Sequence, residues 1–326
     1  MKRRTLVGAG SLLLAGTAAR AQATRKIARI GILVTARGSE FAGPQPESPL
    51  AKALLRGLAD LGYTHGQHYV TEPRGAEGKL ERYPVLTAEL VALGVDVIVA
   101  SGPALFALQA AKTTIPVVMS AAIDPVADGL VQSLSRPGTN FTGLSHQWAG
   151  TAGKLLEMPQ GGRPGPAPVA VLWDRGSRSV WKPRKRRGTA GWRLLSLEIK
   201  DASEIEAALK SAAEARAGAL FVLTGLIAFP NRQRIAELAL RNRLPAMFDM
   251  RPYVDAGGLI SYGADLVDLW RQSARFIDKI LKGAKPADLP VEQPNRYELV
   301  INLKSAKALG ITIPPAVLVR ADDVIR

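Results

Sequence analysis

Residues 96–121, DVIVASGPALFALQAAKTTIPVVMSA, decide the fold. The run 96–100 (DVIVA) is short, apolar and β-branched, and so is 117–121 (VVMSA). Between them, residues 104–112 carry a helical pattern. Runs of this length with β-branched residues read as buried strands, and a strand–helix–strand order gives a parallel pair joined by a crossover. The pattern extends both ways. Upstream lie a strand at 27–34 (IARIGILV), a helix at 49–61, a weaker strand at 68–71 and a helix at 83–93. Downstream, a short helix at 128–133 leads through Arg136-Pro137-Gly138 to a strand at 141–144.

The pattern then restarts. Strands are expected at 169–173 (VAVLW) and 193–199, and a helix at 203–215 whose Ser203 and Glu206 have the spacing of a capping box. A strand at 219–223 (ALFVL), a helix at 231–242 and strands at 246–248 and 259–262 follow. A long amphipathic helix at 266–282 closes on Gly283. The chain therefore reads as two similar α/β halves with parallel sheets, joined near residues 143–150.

Composition narrows the chemistry. The 326 residues are 47% hydrophobic, enough for real cores, and include no cysteine, so disulfides, zinc–thiolate sites and thiol nucleophiles are excluded. Three histidines, His65, His68 and His146, thin the options for metals and general bases. The net charge of +15 is concentrated: residues 1–21 supply four of the excess positive charges and residues 175–187 seven, leaving four for the rest. A phosphate-tracking surface spreads its cations over a face, so nucleic acid is not expected as a partner. The first patch has the order of a secretory leader. Met1 to Arg4 is basic, residues 5–17 are apolar, and Ala19-Arg20-Ala21 is a small-x-small cleavage site. The mature chain is expected in the periplasm, starting near Gln22.

Five stretches carry a family resemblance. They are 279–325 (KILKGAKPADLPVEQPNRYELVINLKSAKALGITIPPAVLVRADDVI), 57–69 (GLADLGYTHGQHY), 76–102 (AEGKLERYPVLTAELVALGVDVIVASG), 113–145 (TTIPVVMSAAIDPVADGLVQSLSRPGTNFTGLS) and 256–263 (AGGLISYG). Together they resemble the ABC-transporter substrate-binding proteins of the tryptophan/tyrosine-uptake type. The resemblance implies a type I periplasmic binding fold, two Rossmann-like lobes around a hinged cleft. It also implies a monomer that hands a small amino-acid-like ligand to inner-membrane ABC permease subunits, with no catalysis and no cofactor. The lobes are expected to comprise residues 27–143 with about 262–290, and residues 147–258 with about 291–326. A ligand-sensing receptor of the same fold and a periplasmic hydrolase are the alternatives. Two stretches depart from the family. Residues 159–166 read PQGGRPGP, and residues 181–187 read WKPRKRR, where helices are expected. Both have the form that compensated frameshifts would produce, and a proline-containing basic run is a poor helix.

No enzyme motif closes. Gly143-Leu144-Ser145-His146-Gln147 begins like a nucleophile elbow and lacks the final glycine. His65-x-x-His68 sits in a glycine-rich turn with no carboxylate partner, and no phosphate-loop pattern occurs. The informative positions are strand ends, because open parallel α/β sheets bind ligands beyond the carboxyl ends of their strands. The candidates are Thr35, Ser101, Gly102, Ala104 and Asp124 in the first half, and Trp173, Asp174, Thr224, Asp249 and Tyr262 in the second. Ser101 and the Ala104 amide suit a carboxylate, and Asp124 or Asp249 suits an ammonium. Trp173, Phe229 and Tyr262 offer apolar walls. Where members of the family often have Asn-Pro after the sixth strand, this chain has Asp174-Arg175.

Overall fold

The computed structural model describes residues 27–146, 167–174 and 193–326. The expected leader and both departing stretches lie outside the described residues. Two sheets organise the rest, and both are built as the apolar runs dictate. The first has five parallel strands, β1 (Ala28–Val34), β2 (Tyr69–Gly75), β3 (Val97–Ser101), β4 (Val117–Ala122) and β5 (Phe141–Ser145), in the order β2-β1-β3-β4-β5. Helix α1 (Pro49–Asp60) covers one face, where Leu54 and Leu58 pack on Ile30, Ile32 and Val99. Helices α2 (Tyr83–Ala92) and α3 (Pro103–Ala110) cover the other, with Leu86, Leu90, Leu105 and Leu108 against Leu33, Ile98 and Met119. Strands buried on both faces have no polar side to present, which is why they read as continuous apolar runs.

The second sheet repeats this order. Strands β6 (Val169–Asp174), β7 (Leu194–Ile199), β8 (Ala219–Val222), β9 (Ala246–Phe248) and β10 (Ile260–Ala264) run β7-β6-β8-β9-β10, all parallel. Helices α4 (Glu204–Glu214), α5 (Arg232–Arg241) and α6 (Arg251–Asp255) fill one face through Ile205, Leu209, Ile235, Leu238 and Tyr253. Two further strands extend the sheet: β11 (Tyr297–Asn302), antiparallel to β10, and β12 (Asp323–Ile325) beyond it. Ala306, Ile311, Ile313 and Val317 from the C-terminal segment cover the other face. The molecule is thus an α/β protein of two lobes, in keeping with the expected class.

One helix belongs to the lobe opposite the strand that precedes it. Helix α7 (Leu266–Leu281) follows β10 directly, yet Leu269, Trp270, Ala274 and Ile277 pack into the first lobe with Leu54 and Leu58 of α1. Gly57 makes this possible, since a β-carbon there would meet the Arg271 carbonyl. Asp265 starts the helix by accepting from the Val267 and Asp268 amides at 2.9 and 3.1 Å, an N-cap that frees the chain to turn between lobes. The chain then stays with the first lobe. Val291 donates to the Leu134 carbonyl at 2.7 Å, and Glu292 pairs beside Leu144 before the return to β11. The chain therefore passes from the second sheet to the first-lobe core between β10 and α7, and back between Glu292 and β11.

Other expectations are corrected locally. Residues 128–133 form no helix: the Asp124 carboxylate accepts from the Ala127 amide, and the Pro125 carbonyl receives both Leu130 and Val131, which makes a turn ending in left-handed Gly129. Ser203 does not cap α4, because Asp201 takes its amide and hydroxyl and Glu204 reaches back to the Lys200 amide instead. β2 runs on to Gly75 through Pro73, which an edge strand tolerates.

Beside the crossings sits Glu298, only 14% exposed, with the Arg251 guanidinium at 3.8 Å. Burial, and then the nearby negative charge of Asp265, push its carboxyl up to about 7. A raised carboxyl holds its proton in the folded state after the unfolded chain has released it. The penalty is therefore absent below about pH 4.5, grows as pH rises and is complete above about 7. Replacing Glu298 by Gln should raise unfolding stability by about 1–3 kcal/mol at pH 8 and leave it nearly unchanged at pH 4. Urea unfolding at the two pH values checks this.

Candidate functional site

The parallel pairing collects the expected residues at two strand edges. In the first lobe, Thr35 follows β1, Ser101 ends β3, Asp124 follows β4 and His146 follows β5. The Thr35 hydroxyl hydrogen-bonds the Tyr83 hydroxyl at 2.9 Å, so it is engaged with α2, and burial raises the Tyr83 phenol. Ser101 is half-buried at a register shift between β3 and β4, and Gly102 turns the chain at φ +58°. Left-handed backbone of this kind is open to glycine at little cost. The start of α3 offers few donors. Pro103 has no N–H, and the Leu105 amide is turned back to the Gly102 carbonyl at 3.1 Å. An anion here would rely on the Ser101 hydroxyl and the Ala104 amide, while the Ala104 side chain is core.

In the second lobe the expected residues divide. Asp174 is fully buried, and its carboxylate accepts from the Leu226, Ile227 and Ala228 amides at 3.1, 2.7 and 2.9 Å. It shapes the loop after β8, and Gly225 is required there because a β-carbon would collide with that carboxylate. Three backbone donors hold it in place. Trp173 is likewise core, packed with Val169, Val171 and Phe221, with its indole N–H donating to the Ser196 hydroxyl at 2.8 Å. Tyr262 lies on the same sheet face in mid-strand, stacked on Tyr297 with ring centroids 5.8 Å apart. These two aromatics therefore wall a core and not a strand edge. Phe229 is half-buried against Tyr253, with the Arg232 guanidinium over its ring.

Thr224 and Asp249 do come together. The Thr224 hydroxyl donates to one Asp249 oxygen at 2.6 Å and its amide to the other at 3.3 Å. Asp249 is 3% exposed, and burial raises its carboxyl, opposed by His146 and by the Thr224 hydrogen bonds. The Tyr253 hydroxyl lies 3.4 Å from the Thr224 hydroxyl, and burial raises that phenol well above its ordinary value.

Sequence reasoning missed Tyr253 and Gly225 and treated His146 only as part of a failed motif. A sequence signal existed for the first two, since Thr224-Gly225 lies just after β8 and Arg251-Pro252-Tyr253 opens α6 just after β9. His65 and His68 are used locally: His65 lies against Tyr69 and Thr71, and the Nδ1 of His68 accepts from the Thr64 amide. Ser145 is fully buried in β5. Among the described residues no group of three His, Asp or Glu side chains could hold a metal ion. A depression of about 1200 Å³ on the first lobe, beside α1, α7 and residues 290–296, includes none of the expected site residues. Its Arg271 and Arg275 are paired with Asp60 and Glu292, each at 2.7 Å.

Removing the Asp174 carboxylate should loosen the loop after β8. Asp174→Ala leaves three amides, one buried and two part-buried, without their acceptor and should cost about 1.5–3 kcal/mol of unfolding stability. Denaturant unfolding reads the loss, and Asp174→Asn should recover part of it.

Comparison with known proteins gives a consistent family. The family described as ABC transporter substrate binding protein matches residues 49–325. A tyrosine-binding protein of Clostridioides difficile (strain R20291) is 25% identical over 268 residues, 80% of this chain and 76% of that protein. A conserved domain protein from Vibrio cholerae has 26% identity and a TM-score of 0.78, covering 92% of this chain and 100% of that one. An ABC domain from Streptococcus pneumonia in complex with L-Trp has 27% identity and a TM-score of 0.76, with the same coverage.

Proposed function

This chain belongs to the ABC transporter substrate-binding proteins, and on that premise we propose that it takes a small amino acid with an apolar or aromatic side chain between its lobes. It then presents this ligand to inner-membrane permease subunits and performs no chemistry on it. What supports the reading is the presence of two unlike polar strand edges, one in each lobe. The first lobe offers a hydroxyl and an amide, Ser101 and Ala104, to a carboxylate. The second offers a buried carboxylate, Asp249, held by Thr224, to an ammonium. Charge-assisted hydrogen bonds at both ends fix the orientation of a zwitterion, and the side chain is left to apolar contacts such as Phe229. The tyrosine-binding relative and the L-Trp complex point to the same ligand class.

Titration calorimetry with L-tyrosine, L-tryptophan and the branched-chain amino acids tests the proposal. At least one should bind. Ser101→Ala should weaken that ligand about ten- to hundredfold, the equivalent of one charge-assisted hydrogen bond of roughly 1.5–3 kcal/mol, without lowering the melting temperature. Absence of heat with every amino acid would reject the ligand class.

The chain is also proposed to work outside the inner membrane as a monomer, its first 21 residues removed. The support is the order of basic, apolar and small-x-small segments in the sequence. Intact-mass measurement of periplasmic material should give a chain beginning near Gln22. A chain retaining Met1 there would overturn this part.

A further inference from the structure

Residues 223–231 link β8 to α5. They carry Thr224, which holds the Asp249 carboxylate, and Phe229, the apolar contact proposed for the ligand side chain. This loop is fixed from the neighbouring strand. The Asp174 carboxylate, at the end of β6, accepts from three successive amides, Leu226 at 3.1 Å, Ile227 at 2.7 Å and Ala228 at 2.9 Å. Successive N–H groups that converge on one anion form a nest, and the anion selects that backbone conformation. The loop is pinned further by Ala228, which is buried in the same core as Ile235 and Tyr253, and by the Asn231 side chain, which donates to the Ile227 carbonyl at 2.8 Å.

Thr224 stands where the sheet gives way to this loop. Leu223 is still held by the ladder, since its amide donates to the Leu172 carbonyl at 3.0 Å. Thr224 is the first residue beyond it, and Gly225 next to it touches the Asp174 carboxylate so closely that a β-carbon would collide there. From this position the Thr224 hydroxyl donates to one Asp249 oxygen at 2.6 Å and its amide to the other at 3.3 Å. A continuous path of hydrogen bonds and main chain thus joins the ends of β6, β8 and β9, which are neighbours in the sheet. On the far side of the nest, Phe229 directly follows Ala228 and sets its ring edge-on to Tyr253, with centroids 6.0 Å apart.

We infer that Asp174 is a positioning residue of the ligand site: by holding the Leu226, Ile227 and Ala228 amides it sets Thr224 against Asp249 at the ammonium end and Phe229 at the side-chain end. The inference rests on the proposed function for its ligand and on the hydrogen bonds alone for the path. Glycine at 225 would leave the loop loose, since it has the widest backbone freedom of any residue. Three bonds to a carboxylate, each about twice as strong as a bond between neutral groups, remove that freedom. The ligand therefore meets an acceptor and a wall that are already oriented, which lowers the ordering cost of binding.

Two readouts on the full chain test this. Amide hydrogen exchange without ligand is followed by nuclear magnetic resonance for the wild type, Asp174→Asn and Asp174→Ala. Asp174→Ala should speed exchange about tenfold at Leu226, Ile227 and Ala228 and also at Thr224, whose amide donates to Asp249 and not to Asp174. These changes should exceed any at the Leu220 amide, which donates to the Pro245 carbonyl and reports the stability of β8 itself. Asp174→Asn should lie between, because its one oxygen can keep the Ile227 and Ala228 bonds while its amino group faces the Leu226 amide. Faster exchange at residues 226–228 with Thr224 unchanged would overturn the relay. Should Asp174→Ala not fold, Asp174→Asn decides by the same comparison.

The second readout is the affinity for L-tyrosine or L-tryptophan beside the des-amino analogue of each, titrated well below the melting temperature of every variant. The wild type should prefer the amino acid. Asp174→Ala should cut that preference about tenfold, with Asp174→Asn intermediate. Thr224→Val should cut it too, and adding Asp174→Ala to Thr224→Val should change it little further, because both act on one carboxylate. A folded Asp174→Ala that keeps the wild-type preference, or additive losses in the double variant, would overturn the positioning role. If neither amino acid binds the wild type, the proposed ligand fails, and exchange at Thr224 still decides whether Asp174 sets the Thr224–Asp249 pair.

Discussion

Parallel strand pairing forces each connection to return over a face of the sheet, so the five parallel strands at the heart of each lobe end at the same edge. Both lobes obey this constraint with the same strand order, and the candidate site is its direct consequence. Ser101, Asp124 and His146 are far apart in sequence, yet they share an edge because β3, β4 and β5 point the same way. Thr224 and Asp249 meet for the same reason at the ends of neighbouring β8 and β9. The helices that make the returns bury both faces of each sheet, which leaves the edge as the place where polar side chains can sit without breaking a core.

The second organising feature is the helix α7, which joins the core of the lobe opposite its preceding strand. Its apolar stripe, Leu269, Trp270, Ala274 and Ile277, closes the first sheet against α1. The C-terminal part of the chain therefore completes both lobes. Residues 287–292 line the edge of β5, and β11 and β12 extend the second sheet. A chain that crosses between its lobes at several points cannot fold one lobe wholly before the other is made. It also places titratable groups, Asp265, Arg296 and Glu298, beside the crossings, where their charges weigh on the fold.

Buried charge is handled differently at the two second-lobe carboxylates, and the difference separates architecture from site. Asp174 accepts from three backbone amides and acts as a staple for a loop. Asp249 takes one hydroxyl and one amide, both from Thr224. Two aspartates at equivalent strand ends thus have different work, decided by how many backbone donors surround each.

The sequence by itself determined the fold class. Runs such as IARIGILV, DVIVA and ALFVL are too short and too uniformly apolar for anything but strands buried on both faces, and the helical patterns between them require parallel crossovers. It also placed Ser101, Thr224 and Asp249 at strand ends, since strand ends are legible wherever an apolar run stops. Side-chain direction was not legible, because it depends on which face each strand turns to each layer. Trp173 and Tyr262 pack with the apolar residues of one sheet face, and Asp174 accepts from amides 52 to 54 residues away. Only the tertiary structure could bring the Leu226, Ile227 and Ala228 amides onto Asp174, because no periodicity relates the end of β6 to the loop after β8.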